Sequence, residues 1–359
     1  MISPPTQQAP HMHPSRPSRR RRPCPSRRLR QAGFTLVELM IASAIGLVIL
    51  AGMASLFVSN SKIQAEIEKA NRQVENGRYG IELLSTDLTN AGFYGELDPS
   101  ALPPPTALPD ACATDLASLS AALPLAVQGV DQADASSLSC ISTDLKPNTD
   151  VVVVRRTETC VAGTGNCAGV ADGGVFLQAS LCNNSSELGS STPTDFYNLD
   201  SDPTKLTRHM RDCSTVAGTG TAAVVRRYLV HIYYITNNDN PGDGIPTLKR
   251  AELGGPDKGL VFTEVPLVEG IENMQLEYGM GNGVFSAAPA DWSAVIAVKL
   301  NLLARNIDQT IDYTDTKSYT LGRDASGAAI AIAAANDHYK RHVFQSQVIL
   351  RNPAGRKAP

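Results

Sequence analysis

The sequence lacks the short motifs that carry most enzyme chemistry. Its 359 residues contain no Gly-x-Ser-x-Gly nucleophile elbow, no phosphate-binding Gly-x-x-x-x-Gly-Lys-Ser/Thr loop and no His-Glu-x-x-His zinc motif. Aromatic residues make up only 5%, with Trp292 as the single tryptophan, so we expect the aromatic side chains in the core rather than on a ligand surface. The sequence therefore predicts neither catalytic activity nor a bound cofactor.

Acidic residues are missing from the first 33 positions, which hold eight of the 32 basic residues. The rest of the chain holds 24 basic residues and all 35 acidic ones, a formal net charge of −11 compared with −3 for the whole sequence. A basic flank before an apolar helix stays in the cytoplasm and directs the following part across the membrane. An acidic exported body argues against contact with nucleic acid.

Charged residues are also absent from Leu39 to Val58, which are twenty consecutive positions. A helix of that length crosses a bilayer hydrocarbon core of about 30 Å. Glu38 directly precedes this stretch, inside an apolar run that begins at Phe34. A carboxylate in lipid costs about 2.5–3.5 kcal/mol on insertion scales, so Glu38 is predicted to face a partner rather than lipid.

The residues around this carboxylate, 33–38 (GFTLVE), resemble the N-terminal signal of type IV prepilins and type II secretion pseudopilins. The resemblance implies cleavage by a prepilin peptidase between Gly33 and Phe34 and N-methylation of Phe34. It also implies that Glu38 is the assembly carboxylate, which pairs with the positive terminal amine of a neighbouring subunit. An ordinary signal anchor or a secretory signal peptide with a chance glutamate is the alternative.

The helical pattern continues beyond Ser61 to about Thr89. Apolar residues recur there at spacings of three, four and seven, which predicts an amphipathic helix with one stripe against a globular domain. The stripe consists of Ile63, Ile67, Ala70, Val74, Gly77, Ile81, Leu84 and Leu88. The opposite face is predicted to be polar and consists of Lys62, Glu66, Glu68, Lys69, Arg72, Gln73 and Glu75.

Seven cysteines include Cys24 in the leader, which leaves an even number in the exported part. These six are Cys112, Cys140, Cys160, Cys167, Cys182 and Cys213. In the periplasm they can pair, and six cysteines allow fifteen connectivities. A pair between Cys160 and Cys167 is favoured because the Gly-rich loop between them closes easily; the pairs 182–213 and 112–140 then follow only by elimination. No Cys-x-x-Cys occurs, which argues against a zinc site.

The last third of the exported part has the clearest strand patterns. They lie at 224–235, 271–278, 294–303 and 343–350. Hairpin-length connections imply an antiparallel sheet, onto which the helix packs. The predicted fold is therefore α+β, type IV pilin-like, with a long N-terminal membrane-spanning helix packed on a C-terminal antiparallel β-sheet.

The following boundaries are predicted. A basic leader, residues 1–33, is removed. The helix is 34–90, with a transmembrane part at 34–58 and an amphipathic stem at 59–90. The remaining segments are a loop-rich, cysteine-containing insertion at 91–223, the antiparallel sheet at 224–351 and a tail at 352–359.

Four segments, 84–95, 244–250, 268–279 and 343–352, resemble PilW-type minor pilins. The resemblance implies a minor pilin that primes assembly of a type IV pilus and so supports twitching motility. Implied partners are other minor pilins, the major pilin, the prepilin peptidase, the inner-membrane assembly platform and the inner membrane. The implied location is the inner membrane with the C-terminal domain in the periplasm, then the pilus, with its tip as one candidate position. Alternatives are a J-type minor pseudopilin of type II secretion and a membrane-anchored periplasmic binding protein or adhesin.

Two weaker patterns suggest metals. Asp239 and Asp243 offer the oxygen ligands that calcium prefers, but the Asn, Asp, Pro and Gly residues of 238–244 are also those that a turn requires, and a turn is favoured. His338 and His342 stand one helical turn apart with Lys340 and Arg341 between them, which disfavours a bound cation. No metal is expected beyond this weak calcium candidate.

Overall fold

The structure is a computed structural model. It describes residues 33–133, 138–141, 143–213, 220–254 and 259–357. The predicted leader with Cys24 lies outside the described residues, except for Gly33. Two compact units divide the chain, residues 1–60 and residues 61–359.

A 55-residue helix, α1, runs from Leu36 to Asn90 without interruption. In the first unit its apolar side chains are exposed, and this segment is long and apolar enough to cross a membrane by length and composition. The helix ends where Gly92 takes a φ of 71°, a left-handed conformation that glycine adopts without a Cβ penalty. The apolar part fits the membrane anchor that the sequence predicts.

In the second unit the buried face of α1 differs from the predicted stripe. Its buried residues are Gln73, Gly77, Gly80, Leu84, Asp87 and Leu88. Ile63, Ile67 and Val74 are instead 57%, 53% and 38% exposed, so the stripe prediction was wrong for the first turns of this unit. The predicted polar face was wrong for Gln73, which is 6% exposed.

Close packing explains why this face is buried. The Nε2 of Gln73 donates to the carbonyl oxygens of Ala304 and Lys340, each at 2.9 Å, so that this amide is satisfied although buried. The Phe344 ring packs directly against the backbone at Gly77. Two glycines and a hydrogen-bonded glutamine bring the helix close to the strands, a geometry that hydrophobic periodicity does not encode.

Among the described residues, the largest sheet is antiparallel and has seven strands. They are β1 (Val127–Ala133), β2 (Thr149–Thr157), β3 (Val175–Ala179), β4 (Tyr197–Asp200), β5 (Val225–Thr236), β6 (Thr247–Leu253) and β7 (Phe262–Glu269). Strand β5 is central and pairs with β2, β3 and β6. Strand β1 lies beside β2, β4 beside β3, and β7 beside β6.

A four-stranded antiparallel sheet follows in the chain, and a separate two-stranded hairpin lies between two of its strands in sequence. Its elements are β8 (Ile271–Gly279), β9 (Phe285–Ser286), β10 (Ala297–Arg305), the hairpin strands β11 (Tyr319–Arg323) and β12 (Ala329–Ile332), and β13 (Arg341–Ile349). The order in the sheet is β13-β10-β8-β9, and β11 pairs with β12 separately. Two short helices are α2 (Leu116–Ala121) and α3 (Arg351–Lys357).

The region 91–223 is not an insertion as predicted. Strands β1 to β4 lie within it and share a sheet with β5 to β7. The prediction failed because long loops separate these strands, and their place in the sheet depends on the pairing of β2 and β3 with the distant strand β5. By contrast, the strands predicted after residue 223 correspond to β5, β8, β10 and β13, and antiparallel sheets with a long N-terminal helix confirm the fold class.

Two cores lie on opposite faces of the seven-stranded sheet. Val152 and Val154 belong to the core shared with α1 and the four-stranded sheet, whereas Val151 and Val153 belong to the core covered by loops. Successive side chains of a strand point to opposite faces of the sheet, so neighbouring valines belong to different cores. A sheet buried on both faces explains the two-sided apolar pattern of β5.

The described residues contain three disulfides, Cys112–Cys140, Cys160–Cys167 and Cys182–Cys213, with Cα–Cα distances of 5.4, 6.4 and 5.5 Å. The sequence favoured the Cys160–Cys167 pair, and the other two pairs are those that followed only by elimination. All six cysteines lie in the loops around β1 to β4 or next to the ends of those strands. The bonds therefore tie together the part of the sheet that has the longest connections.

Candidate functional site

The candidate assembly site is the first turn of α1. The Oε2 of Glu38 accepts hydrogen bonds from the backbone N–H and from the hydroxyl of Thr35, both at 2.9 Å. In return, the backbone N–H of Glu38 donates to Oγ1 of Thr35 at 3.2 Å. This reciprocal arrangement is a capping box, which satisfies N–H groups that have no partner inside the helix.

All groups of this site are accessible. Phe34 is 89% exposed, and Gly33 has no neighbouring atom within 4 Å of a Cβ placed on it. The described structure thus places Gly33, Phe34 and Glu38 together at the exposed start of the helix. A carboxylate in the first helical turn is also favoured by the helix dipole.

Sequence reasoning missed the role of Thr35. Its signal was present, because Thr35 and Glu38 have the Ser/Thr-x-x-Glu spacing of a capping box before an apolar run. The capping box gives the carboxylate a partner within its own chain before any neighbouring subunit is present.

A second polar cluster joins α1 to the seven-stranded sheet. Asp87 lies in the last turns of the helix and receives hydrogen bonds from Arg156 Nε at 2.6 Å and from Tyr233 Oη at 2.8 Å. Its other neighbour is His231, whose Nδ1 lies at 2.8 Å. Burial alone would raise the pKa of Asp87, but His231 and Arg156 hold it well below its ordinary value. The sequence pattern placed Asp87 only at the helix end and gave it no role.

The calcium candidate forms a turn. Oδ1 of Asp243 accepts from the backbone N–H groups of Asp239 and Ile245, and Oδ2 accepts from that of Asn240. The Oδ2 of Asp239 accepts from the Asn240 amide. Backbone hydrogen bonds lower the pKa of the Asp243 carboxyl. Both carboxylates therefore act in the turn that the sequence favoured.

Other potential metal ligands are also engaged. Glu158 lies within ligand distance of Cys160 and Cys167, but these two sulfurs are bonded to each other. Nδ1 of His338 lies 2.6 Å from the carbonyl oxygen of Tyr313, and the His342 ring packs edge-on against Phe344. None of these groups is arranged as a free coordination site.

Comparison with known proteins gives two family matches. Residues 232–352 match the family described as Type IV Pilus-assembly protein W (PilW). Residues 28–54 match the prokaryotic N-terminal methylation motif. No curated protein sequence matches the chain.

One solved structure with detectable similarity is the type IV-like pilin TTHA1219 from Thermus thermophilus. It is 16% identical, the alignment covers 58% of this chain and 81% of that chain, and the TM-score is 0.27. A similarity this low carries no structural argument, so the assignment rests on the two family matches.

The two matches cover the candidate assembly site and most of the C-terminal strands. The methylation motif spans the capping box and the first part of the apolar helix. The PilW match begins within β5 and ends just after β13. It names a pilus-assembly family, which favours the type IV pilus over the type II secretion alternative. Together, the methylation motif at residues 28–54 and the PilW match at residues 232–352 support a PilW-type minor pilin of a type IV pilus.

Proposed function

We propose that this subunit enters the pilus by an ion pair between Glu38 and the N-terminal amine of a neighbouring pilin. Cleavage after Gly33 by the prepilin peptidase creates the corresponding amine on Phe34, and N-methylation leaves its positive charge. The observation that carries the proposal is the position of Glu38, which is the one carboxylate between residue 34 and Val58.

Electrostatics in the bilayer support this role. A carboxylate at membrane depth costs a few kcal/mol, and an isolated terminal amine is equally unfavourable there. A pair formed between subunits relieves both costs and requires one axial register, because each partner is fixed near the end of a rigid helix. Thr35 holds Glu38 at the exposed helix start until the partner arrives.

The location follows from the same segment. The helix start and the motif fit membrane anchoring. The eight basic residues of the leader favour a cytoplasmic N terminus, which supports a periplasmic location of residues 61–359. There the subunit joins other minor pilins on the assembly platform and primes the fibre, and the pilus tip is one candidate for its final position. Pilins in general are not enzymes, and we propose a purely structural role for this one.

A Glu38→Val substitution tests this proposal. The full-length variant is expressed in a strain that lacks the gene, and three quantities are measured: cleavage and methylation by mass spectrometry, subunit level by immunoblot, and surface pili by electron microscopy. We expect a chain that begins with N-methylated Phe34 at wild-type level, together with a loss of surface pili. Valine removes the charge while it keeps the helix apolar.

Glu68→Gln is the matched control, because Glu68 is an exposed carboxylate on the same helix and lies outside the apolar part. This variant is expected to assemble normally. Normal pili with Glu38→Val would contradict the assembly role. Loss of secreted enzymes without loss of pili in the deletion strain would instead assign the subunit to type II secretion.

A further inference from the structure

Strand β13 forms one edge of the four-stranded sheet and pairs on one side with β10. The pairing runs over nine consecutive residue pairs, from Ala297↔Ile349 to Arg305↔Arg341, without a bulge. Asn306 N donates to Lys340 O at one end and Leu350 N to Ile296 O at the other. Because hydrogen-bonded pairs alternate in an antiparallel ladder, the even-numbered residues of β13 bond to β10.

The odd-numbered residues therefore present their backbone groups outward. These residues are Val343, Gln345, Gln347 and Ile349. Within the described part of the chain, no hydrogen bond reaches their N–H or C=O groups from outside the sheet. Ile349 is 58% exposed. The edge is thus a row of unpaired donors and acceptors with the spacing of an extended strand.

The other sheet edges of the described residues are protected against pairing. Strand β1 has a bulge, β4 has four residues and β9 has two. Strand β7 carries Pro266 and two glutamates and is bulged opposite β6. The hairpin of β11 and β12 is short and bulged. Such features are the usual means by which proteins prevent edge-to-edge association.

Strand β13 has none of these features. From His342 to Ile349 it contains no proline, no glycine and no Asp, Glu, Lys or Arg. Residues 34–359 carry a formal net charge of −11, so an exposed edge strand without Asp, Glu, Lys or Arg is unusual in this part of the chain. Arg341 at its start is held by Glu272, Asp315 and Asp337, whereas Arg351 directly after it is exposed.

We propose that the edge of β13 is a docking site for an extended segment of a neighbouring pilus subunit, which adds a fifth strand to this sheet. The hydrogen-bond pattern admits only an extended backbone. The neutral strand selects an uncharged segment, and Arg351 selects an acidic residue at the segment's end that meets it. This inference rests on the proposed function, because it takes the partner from the assembled fibre.

A Gln347→Pro substitution tests the edge. Proline removes an outward N–H, and none of the bonds to β10 involves this nitrogen. Gln347→Ala is the matched control, since it shortens the same exposed side chain and keeps the N–H. In the deletion strain, we expect Gln347→Pro to be cleaved and to accumulate like the wild type. The number of surface pili should fall by roughly tenfold or more. Gln347→Ala is expected to give normal numbers.

A second variant guards against a folding defect. Gln347→Glu combined with Ile349→Glu leaves the backbone intact and places two negative charges on the exposed edge, which oppose strand addition and repel an acidic residue of the partner. It is expected to melt like the wild type in detergent and to lose pili as Gln347→Pro does. Normal piliation by this double variant overturns the docking site, whatever the fate of the proline variant.

The Glu38→Val variant separates the two proposals. Lost pili with Glu38→Val and normal pili with both edge variants refute the docking site and leave the assembly role standing. Normal pili in all three variants refute the assembly role itself.

Discussion

His231 Nδ1 lies 2.8 Å from Oδ2 of Asp87, so that a residue on β5 and one near the end of α1 share a buried contact across 144 positions of sequence. The two side chains are 8% and 6% exposed. Arg156 and Tyr233 donate to the same carboxylate. The folded state tolerates a buried, charged carboxylate only while these hydrogen-bond donors remain to satisfy it.

We predict that Asp87→Asn destabilises the second unit, residues 61–359, by roughly 2–4 kcal/mol. The amide leaves Arg156 without a counter-charge in a largely buried position, which is the costly way to break such a pair. Chemical unfolding of the full chain in detergent measures the change. Glu82→Gln, an exposed position on the same helix, serves as the control and is expected to stay within about 0.5 kcal/mol.

The same carboxylate predicts an acid sensitivity. Because its folded pKa lies below its ordinary value of 3.8, its contribution is complete above about pH 5 and is lost as the pH falls through and below 4. The difference in unfolding free energy between wild type and Asp87→Asn should therefore shrink on acidification. A difference that stays constant down to low pH would contradict this role.

A side chain at position 77 is predicted to destabilise the fold. A Cβ at this position overlaps the Phe344 ring, so Gly77→Ala should cost about 1–3 kcal/mol by overpacking, although alanine favours the helix by about 1 kcal/mol. Gly80→Ala is the matched control, because its Cβ would lie 3.3 Å from a terminal methyl of Leu302. The free energy of unfolding should change much less there, and trimming Phe344 to leucine should partly rescue Gly77→Ala.

These contacts show which parts of the fold the sequence can predict. The apolar helix and the strongest strands, such as β5 and β10, follow from local patterns of composition and period. The buried face of α1 follows only in part. Gly77, Leu84 and Leu88 lie on the predicted stripe and are buried. The burial of Gly80 and Gln73 depends on strands far away in sequence.

The residues of the candidate site and of the Asp87 cluster also divide into those that local sequence reveals and those that depend on distant strands. Glu38 stands out in the sequence as a candidate because a lone carboxylate in a long apolar run is costly, and this signal is local to one segment. Thr35 was also local, and its spacing to Glu38 was a missed signal. Asp87 required knowledge of β2 and β5, since Arg156 and His231 reach it only after the sheet has formed.

The disulfides are predicted to contribute unequally. The Cys112–Cys140 bond closes a sequence separation of 28 residues and the Cys160–Cys167 bond one of 7. Because a longer loop loses more entropy on closure, removal of the first pair by alanine substitution should cost about 1 kcal/mol more than removal of the second. Urea unfolding of the two double variants compares them directly. An equal or larger loss for the 160–167 variant would contradict the loop-length argument.

Asp150 joins the two main sheets. Its carboxylate oxygens accept from the backbone N–H of Gln132 at 2.9 Å and from that of Leu276, in β8, at 2.7 Å. Burial, together with the neighbouring carboxyl of Asp131, raises the pKa of Asp150 to about 7, although the two backbone bonds oppose the rise. The folded protein therefore holds a proton here that the unfolded chain releases near pH 4.

We predict that this group lowers stability as the pH rises from about 4 to 7, by up to about 4 kcal/mol, and has no further effect above that range. Asp150→Asn should be less stable at pH 4.5 by about 1–3 kcal/mol, because its amide nitrogen cannot accept one of the two backbone bonds. It should lose this dependence on pH, so that its deficit relative to wild type narrows between pH 4.5 and 7.5 in urea unfolding. Asp131→Asn keeps Asp150 ionisable but removes the neighbouring charge, and should shift the range to lower pH. A deficit that does not change with pH would show that Asp150 is ionised throughout.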